Sequence, residues 1–235
     1  MNDNIFNNFE FTLSDDIKIE TLSTDVGNVR IVRNFYKDPV SVLNEIEKLP
    51  ITIVGEKEYR ENNQVLYVDG RKTHIASMPG MELPFLSELR TFLSDHFSKD
   101  KSISVYKKLN INSFKKLKDY PENLYYNAHY DAYLGEGGLQ CAMIVFLNKS
   151  YEKGSGINFY YPMDEENLKP LMSHQEIKLA KFIQAEPNMG VLFPSHILHG
   201  QENGNGQQFY DEWRYTQVIF LDINDNKIYT NMSYY

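Results

Sequence analysis

Apolar and polar residues follow two different periods along this chain, and the change of period marks its elements. The segment NVRIVRNFY over 28–36 alternates between apolar and polar residues, which predicts a strand. Asp38 then offers a helix cap, and Pro39 suits the first helical position. We therefore predict an amphipathic helix over 39–48. Its apolar stripe consists of Val40, Leu43, Ile46 and Leu49.

A second helical stripe begins at Pro84, and short apolar runs separated by turn residues follow it. These runs predict strands, for example GINFYYP over 156–162. IKLAKFIQA over 177–185 fits a strand or a helix, and the turn residues EPNMG that follow it favour a strand. The run LQCAMIVFLN over 139–148 is apolar at almost every position, which predicts a strand buried on both faces. The other predicted strands lie within 101–118 (one strand), 119–134, 191–193, 213–222 and 226–235. QENGNGQQ over 201–208 is predicted to be a turn. The pattern predicts a mainly β protein with supporting helices.

Composition narrows the function classes. The chain has 235 residues, enough for one large domain or two small ones, and a net charge of −8 without a long cationic run. Broad binding to a phosphate backbone needs clustered cations, so nucleic acid is an unexpected partner. The single cysteine, Cys141, permits no internal disulfide, which fits a reducing compartment. We find no secretory signal and no apolar run of about 18 residues, so we expect a soluble cytoplasmic protein.

Candidate chemistry centres on the segment LYYNAHYDAY over 124–133. His129 and Asp131 are two positions apart, so they share one face of an extended strand. An imidazole and a carboxylate on one face supply two of the three ligands of a 2-His-1-carboxylate site, which holds non-haem Fe(II) and leaves positions open. Taken alone, the pair is a weak signal, because a polar pair on a solvated strand face has the same pattern.

Downstream residues supply the missing parts of such a site. The segment GVLFPSHILHGQ over 190–201 contains two histidines, His196 and His199, and the residues themselves leave open which one is the third ligand. Arg214 follows in WRYTQVIFLD, fifteen positions after His199. Its guanidinium presents a planar fork of donors that matches a carboxylate. A surface ion pair of Arg214 with Asp211 or Glu212 is the alternative interpretation.

Taken in this order, these sequence motifs resemble those of the Fe(II)- and 2-oxoglutarate-dependent oxygenases, and more narrowly those of the prolyl-hydroxylase-like branch. The resemblance covers roughly 120–222. It is carried by Tyr126 before His129, Gly154-Ser155-Gly156 before INFY, Phe193-Pro194-Ser195 before His199, and Arg214-x-Thr216. The resemblance favours His199 over His196 as the distal ligand. It also favours Tyr126, although regular alternation would place Tyr125 on the face of His129.

The resemblance implies a double-stranded β-helix, or jelly-roll, core buttressed by N-terminal helices. A single domain would span 1–235, with supporting strands and helices over 1–118 and the core over 119–235. The implied iron ligands are His129, Asp131 and His199. The implied 2-oxoglutarate-binding residues are Arg214, Thr216 and Tyr126. The implied reaction hydroxylates a C–H bond of a peptide or small molecule, releases succinate and CO2, and uses ascorbate as reductant.

Two other interpretations remain open from the sequence. A cupin-like metal hydrolase or isomerase could use the same three ligands with Zn or Mn, but it would not need Arg214 aimed at the metal. A jelly-roll binding protein without turnover is the second. The segment 163–176 is interpreted as an insertion.

Overall fold

The computed structural model shows a mainly β protein. It describes residues 11–47, 52–53, 59–61, 64–67, 72–76, 84–97, 102–105, 109–114, 128–131, 139–164, 171–172, 174–204 and 207–224. In the first half, the elements are β1 (Lys18–Thr24), β2 (Gly27–Arg33), α1 (Pro39–Ile46), β3 (Thr52–Ile53), β4 (Tyr59–Glu61), β5 (Gln64–Tyr67), β6 (Lys72–Ala76), α2 (Pro84–Phe97), β7 (Ser102–Val105) and β8 (Leu109–Phe114). In the second half, they are β9 (Ala128–His129), β10 (Leu139–Phe146), β11 (Ser155–Pro162), β12 (Leu171–Met172), a 3-10 turn (His174–Glu176), β13 (Ile177–Gln184), β14 (Met189–Pro194), β15 (His199–Asn203), α3 (Gln208–Asp211) and β16 (Arg214–Asn224).

Two sheets carry most of the described strands. The large sheet has the order β1-β2-β14-β10-β16-β8-β6-β3, and β7 also pairs with β16. The small sheet has the order β12-β9-β15-β11-β13, and β4 pairs with β5 separately. Every pairing between described strands is antiparallel. From β8 onward the chain passes repeatedly between the large and the small sheet, so residues distant in sequence meet between them.

The inner faces of the two sheets share one apolar core. From the large sheet, Ala142, Phe146, Val191 and Phe193 contribute to it, and from the small sheet, Ile157, Phe159 and Ile183. Polar side chains on these inner faces are therefore shielded from water on both sides. This layer is where the sequence-predicted chemistry lies.

The outer face of the large sheet packs against the two helices. Residues of β10 on this side join residues of α1 and α2 in a second core: Val42, Leu43, Ile46, Leu89, Leu93, Cys141, Met143 and Val145. Successive side chains of β10 thus enter different cores, which confirms the prediction of a strand buried on both faces.

Helix α1 begins where the sequence predicts. The Asp38 side chain accepts a hydrogen bond of 2.9 Å from the Ser41 N–H, and Pro39 occupies the first turn. The helix ends at Ile46, and its buried positions are Val42, Leu43 and Ile46. Val40, assigned to the apolar stripe from its spacing, is 48% exposed, because the helix turns Val42 toward the sheet instead.

Three other expectations differ from the structure or lie beyond it. The segment 101–118 contains two strands, β7 and β8, both paired with β16. The predicted turn over 201–208 is wrong in its first part, since β15 extends to Asn203. The predicted strand over 226–235 lies outside the described residues. Over the part of the chain that the structure describes, no helix has the length and apolar character needed to cross a membrane.

Asn188 joins the N-terminal segment to the turn between β13 and β14. Its side chain accepts from the Tyr36 N–H and donates to the Tyr36 carbonyl, both at 2.8 Å. Its backbone carbonyl accepts from the Phe35 N–H, and its own N–H donates to Phe146. The residue has φ of 58°, in the left-handed region where asparagine is better tolerated than most residues.

We predict that Asn188→Ala lowers the free energy of unfolding by about 2–4 kcal/mol. Two hydrogen bonds to Tyr36 are lost, and alanine is strained at a positive φ. Asn188→Gly is the matched control, since it loses the same bonds but tolerates the backbone angle. Urea denaturation of both variants should place the glycine variant nearer to wild type. Equal losses would show that backbone strain contributes nothing here.

Candidate metal centre

A strand pair brings two histidines together. β9 and β15 are antiparallel neighbours, and His129 lies directly opposite His199 in their register. The two ring centroids are 4.4 Å apart. A single strand pairing therefore aligns side chains that are seventy positions apart in the sequence.

Asp131 follows the end of β9 and is held by a turn that connects the two sheets. Its N–H donates a 3.0 Å hydrogen bond to the Ser195 carbonyl, in the turn that connects β14 to β15. The sequence argument placed His129 and Asp131 on one regular strand. This is wrong for Asp131, because β9 ends at His129, and the backbone bond to Ser195 fixes the position of Asp131 beyond the strand end.

The Asp131 carboxylate lies between the two imidazoles. Its Oδ1 is 3.5 Å from Nε2 of His129, and its Oδ2 is 3.4 Å from Nε2 of His199. The three candidate ligand atoms lie within 4.8 Å of one another. Three ligands at about 2.1 Å from a metal and at right angles would be about 3 Å apart. The observed spacing fits a divalent metal after small side-chain movements.

Exposure falls steadily from one ligand to the next. The side chain of His129 is 35% exposed, that of Asp131 12% and that of His199 4%. The centre therefore opens to solvent on the His129 side and is closed around His199. A bound molecule would approach from the His129 side.

The surroundings of His199 fix the orientation of its ring. Its Nδ1 is 2.9 Å from the Ile197 carbonyl, which accepts a hydrogen bond from the Nδ1–H group. The unprotonated Nε2, with its lone pair, then faces Asp131. The Phe193 ring packs against it with centroids 4.5 Å apart, and Phe159 packs on Phe193. Such a ring presents Nε2 to a metal in a fixed orientation.

Electrostatics favour the metal-binding protonation states. Burial is the main cause that lowers the pKa of His199 to about 4, while Asp131 and the Ile197 carbonyl act in the opposite direction. Burial alone would raise the pKa of Asp131, but the nearby His199 and His129 outweigh it, so this pKa is lowered. At neutral pH the centre offers a neutral imidazole at His199 and an anionic carboxylate.

Arg214 begins β16 and points into the layer between the sheets. It is 2% exposed, and its Nη2 donates a 2.8 Å hydrogen bond to the Gly156 carbonyl of β11. The alternative of a surface ion pair does not describe this side chain, because it is buried. A Cβ atom at Gly156 would overlap the Ile183 carbonyl oxygen, so glycine is required where β11 and β13 approach.

The other three residues named from the sequence differ in where they lie relative to the candidate centre. Thr216 is buried and shares the strand face of Arg214, two positions further along β16. His196 is half-buried in the turn between β14 and β15 and does not belong to the three-residue group. Tyr126 lies outside the described residues.

Three aromatic side chains around Arg214 were not anticipated from the sequence. Its Cζ is 5.6 Å from the Phe146 ring centroid and 6.0 Å from that of Phe209. Tyr151 packs against both rings, with centroid distances of 5.6 Å and 6.2 Å. Phe146 lies in the strand predicted over 139–148, but Tyr151 and Phe209 lie outside the predicted strands, where no local pattern indicates an inward side chain.

Comparisons with known proteins give similarity in structure but not in sequence. No family model matches the chain, and no curated protein matches it in sequence. Its structural neighbours are Fe(II)/2-oxoglutarate oxygenases, including prolyl hydroxylases. A prolyl 4-hydroxylase from Phytophthora capsici is 12% identical, with a TM-score of 0.48, and the match covers 83% of this chain and 58% of that one.

Two further neighbours show the range of activities among these structures. A prolyl hydroxylase from Trichoplax adhaerens, in complex with a hypoxia inducible factor peptide fragment, is 16% identical with a TM-score of 0.46, and 83% of each chain is covered. SnoN, an α-ketoglutarate-dependent epimerase from nogalamycin biosynthesis, is 10% identical with a TM-score of 0.47, covering 78% of this chain and 69% of that one. This chain spans less than two thirds of the Phytophthora enzyme.

The pKa of His199 predicts how pH affects stability when no metal is bound. The folded value of about 4 lies below the value near 6.5 expected in the unfolded chain, so the unfolded state binds the proton first as pH falls. Stability should be complete above pH 6.5 and decline by about 3 kcal/mol as pH approaches 4.

Urea denaturation in the presence of a chelator, at steps between pH 7 and pH 4.5, measures this dependence. His199→Gln removes the titrating ring but keeps a polar side chain of similar length. We expect its stability to fall less steeply than that of the wild type over this range. Identical slopes for the two proteins would contradict the assignment.

Proposed function

We propose that the chain is an Fe(II)- and 2-oxoglutarate-dependent oxygenase that hydroxylates an unactivated C–H bond of a peptide or small molecule. Succinate and CO2 would be released. The observation that carries the proposal is the presence, between the same two sheets, of a converging His-Asp-His group and a buried guanidinium. A metal with open positions and a separate carboxylate anchor are what an oxoacid co-substrate requires.

We infer a double-stranded β-helix core from the strand order. Of the strands within 119–235, β16, β10 and β14 are neighbours in the large sheet, and β9, β15, β11 and β13 are neighbours in the small sheet. Each sheet thus takes alternate portions of the second half of the chain, as a jelly-roll does. We propose one domain, in which 1–118 adds supporting strands and helices and 119–235 forms the core.

The metal would be held by His129, Asp131 and His199. Two neutral nitrogens and one carboxylate oxygen are the donor set of the facial triad that binds Fe(II) and leaves three positions open. When bound, iron would supply the oxidative chemistry, with 2-oxoglutarate and O2 as co-substrates. Asp131 balances part of the metal charge, and the Ile197 carbonyl keeps the His199 ring in its binding orientation.

Arg214 would bind the far carboxylate of 2-oxoglutarate, with Thr216 donating a hydroxyl hydrogen bond from the same strand face. Gly156, which accepts from Arg214, is three positions along β11 from Phe159, the residue paired with His199. At about 3.3 Å per residue the separation along the strand is about 10 Å. The Arg214 fork, bonded to the Gly156 carbonyl, would therefore lie about 10 Å from the level of the metal ligands, which a small dicarboxylate with its contacts at both ends can span. Tyr126 is proposed as a third contact from the resemblance alone.

The protein would also control access and solvent. Phe159 and Phe193 pack behind His199 and keep water from the closed side of the centre. The partly exposed His129 marks the open side, where the substrate would enter. A hydrolase or isomerase would also use the three ligands, but a buried cation behind them favours the oxygenase.

We predict slow conversion of 2-oxoglutarate to succinate by the purified protein with Fe(II), ascorbate and O2. His129→Ala should abolish the conversion and reduce metal binding at least tenfold, because one of three ligands is lost. His196→Ala is the control, and it should keep both properties. If the wild-type protein binds metal but forms no succinate at any of several iron concentrations, the result would favour the hydrolase or isomerase instead.

Arg214→Met should raise the KM for 2-oxoglutarate about 10- to 100-fold. This corresponds to the loss of charge-assisted hydrogen bonds of about 1.5–3 kcal/mol. Methionine fits among the aromatic rings, so the fold should survive. Metal affinity measured without co-substrate should not change. An unchanged KM, with a normal thermal unfolding curve, would contradict the anchoring function of Arg214.

A further inference from the structure

Helix α3 closes one end of the layer between the two sheets. It spans Gln208–Asp211, between β15 and β16. Gln208 fastens it to the loop before β11: its Oε1 accepts from the Glu152 N–H at 2.8 Å, and its Nε2 donates to the Ser150 carbonyl at 2.9 Å. Glu152 in return accepts from the Gln208 N–H at 3.3 Å. These reciprocal bonds fix a short helix that could not hold its position alone.

The fixed helix places Phe209 against the arginine. Phe209 is fully buried and packs on Tyr151, while the Arg214 guanidinium lies within 6.0 Å of its ring centroid. Phe146 contacts the same guanidinium at 5.6 Å. We call Phe146, Tyr151 and Phe209 the aromatic box. Because these rings are packed against one another, the guanidinium has little space into which it can withdraw.

The register of β11 and β15 gives the order of the candidate metal ligands, Arg214 and α3 along the layer between the sheets. Phe159 lies opposite His199, at the level of the candidate metal ligands. Gly156 lies opposite Glu202, and there the Arg214 guanidinium donates to the Gly156 carbonyl. Glu152, which holds α3, precedes β11 and lies further from the histidines. Phe209 is therefore on the side of Arg214 remote from the metal ligands.

We propose that Phe209 sets the length of the dicarboxylate that this site accepts. This inference rests on the proposed function, because it assumes that the oxoacid end binds at the His-Asp-His group. The aromatic box keeps Arg214 from retreating, so the distance between the metal and the guanidinium is fixed. In this proposal a five-carbon 2-oxo diacid spans this distance. A six-carbon diacid would have to push the guanidinium into the Phe209 ring.

Phe209→Ala would remove the obstacle. The alanine leaves a space behind the guanidinium, into which Arg214 can move. The variant should bind 2-oxoglutarate more weakly, because the anchor is less ordered, and 2-oxoadipate more tightly, because the longer chain is accommodated. A residue that only stabilises the fold would weaken both ligands alike. The ratio of the two affinities therefore separates a specificity function from a structural one.

Calorimetric titration of the full chain tests the inference. The protein is loaded with Mn2+ under anaerobic conditions, and 2-oxoglutarate and 2-oxoadipate are titrated separately, so binding is read without turnover. Wild type should prefer 2-oxoglutarate by at least tenfold, and Phe209→Ala should lower this preference at least tenfold. Phe209→Leu, which fills more of the space, should give an intermediate preference and decides the question if the alanine variant does not fold. Tyr210→Ala, on the same helix, is the control and should keep the wild-type preference.

The outcomes distinguish the inference from the proposed function. If wild type binds 2-oxoglutarate and both Phe209 variants keep the wild-type preference, Phe209 does not set ligand length and this inference is overturned alone. If metal-loaded wild type binds neither diacid, the proposed function fails and the inference fails with it.

Discussion

The pairing of β9 with β15 at one position is the constraint on which the candidate centre depends. His129 and His199 share a hydrogen-bonding register, so the geometry of an antiparallel ladder, and not a flexible loop, sets the distance between their rings. A shift of one residue would turn one imidazole to the other face of the small sheet. The apolar residues on the inner faces of both sheets hold this register, because slippage would expose them. The arrangement of the candidate ligands and the packing of the core are thus enforced by the same contacts.

The layer between the sheets combines charge with apolar surroundings. Asp131 and Arg214 are both largely withdrawn from water, and each is held by a backbone group of a neighbouring segment: the Ser195 carbonyl for Asp131 and the Gly156 carbonyl for Arg214. Burying such groups costs several kcal/mol unless partners offset the loss of hydration. Histidines surround the carboxylate, and aromatic rings flank the guanidinium. Burying this carboxylate and this guanidinium is costly for folding. Ligand binding would explain why both are nevertheless present in this layer.

Local pattern predicted the elements well and the site partly. The capped helix at Asp38 and the buried strand at 139–148 follow from periodicity, because one local rule determines each. The candidate ligands could be named because residue type and order carry that information. Strand β15 and helix α3 could not be predicted, since HGQEN and QFYD have no apolar period of their own and are ordered by long-range contacts. The inward positions of Tyr151 and Phe209 are likewise consequences of tertiary packing.

The turn between β14 and β15 has a length that two separate anchors define. Ser195 at its start bonds the backbone of Asp131, and Ile197 within it accepts from the ring of His199 at its end. Inserting or deleting one residue here would detach the carboxylate or rotate the imidazole, even with every ligand side chain still present. This chain should therefore tolerate length variation in its other loops far better than in these four residues. The spacing between the end of β14 and His199 is thus as much a part of the candidate site as the imidazole itself.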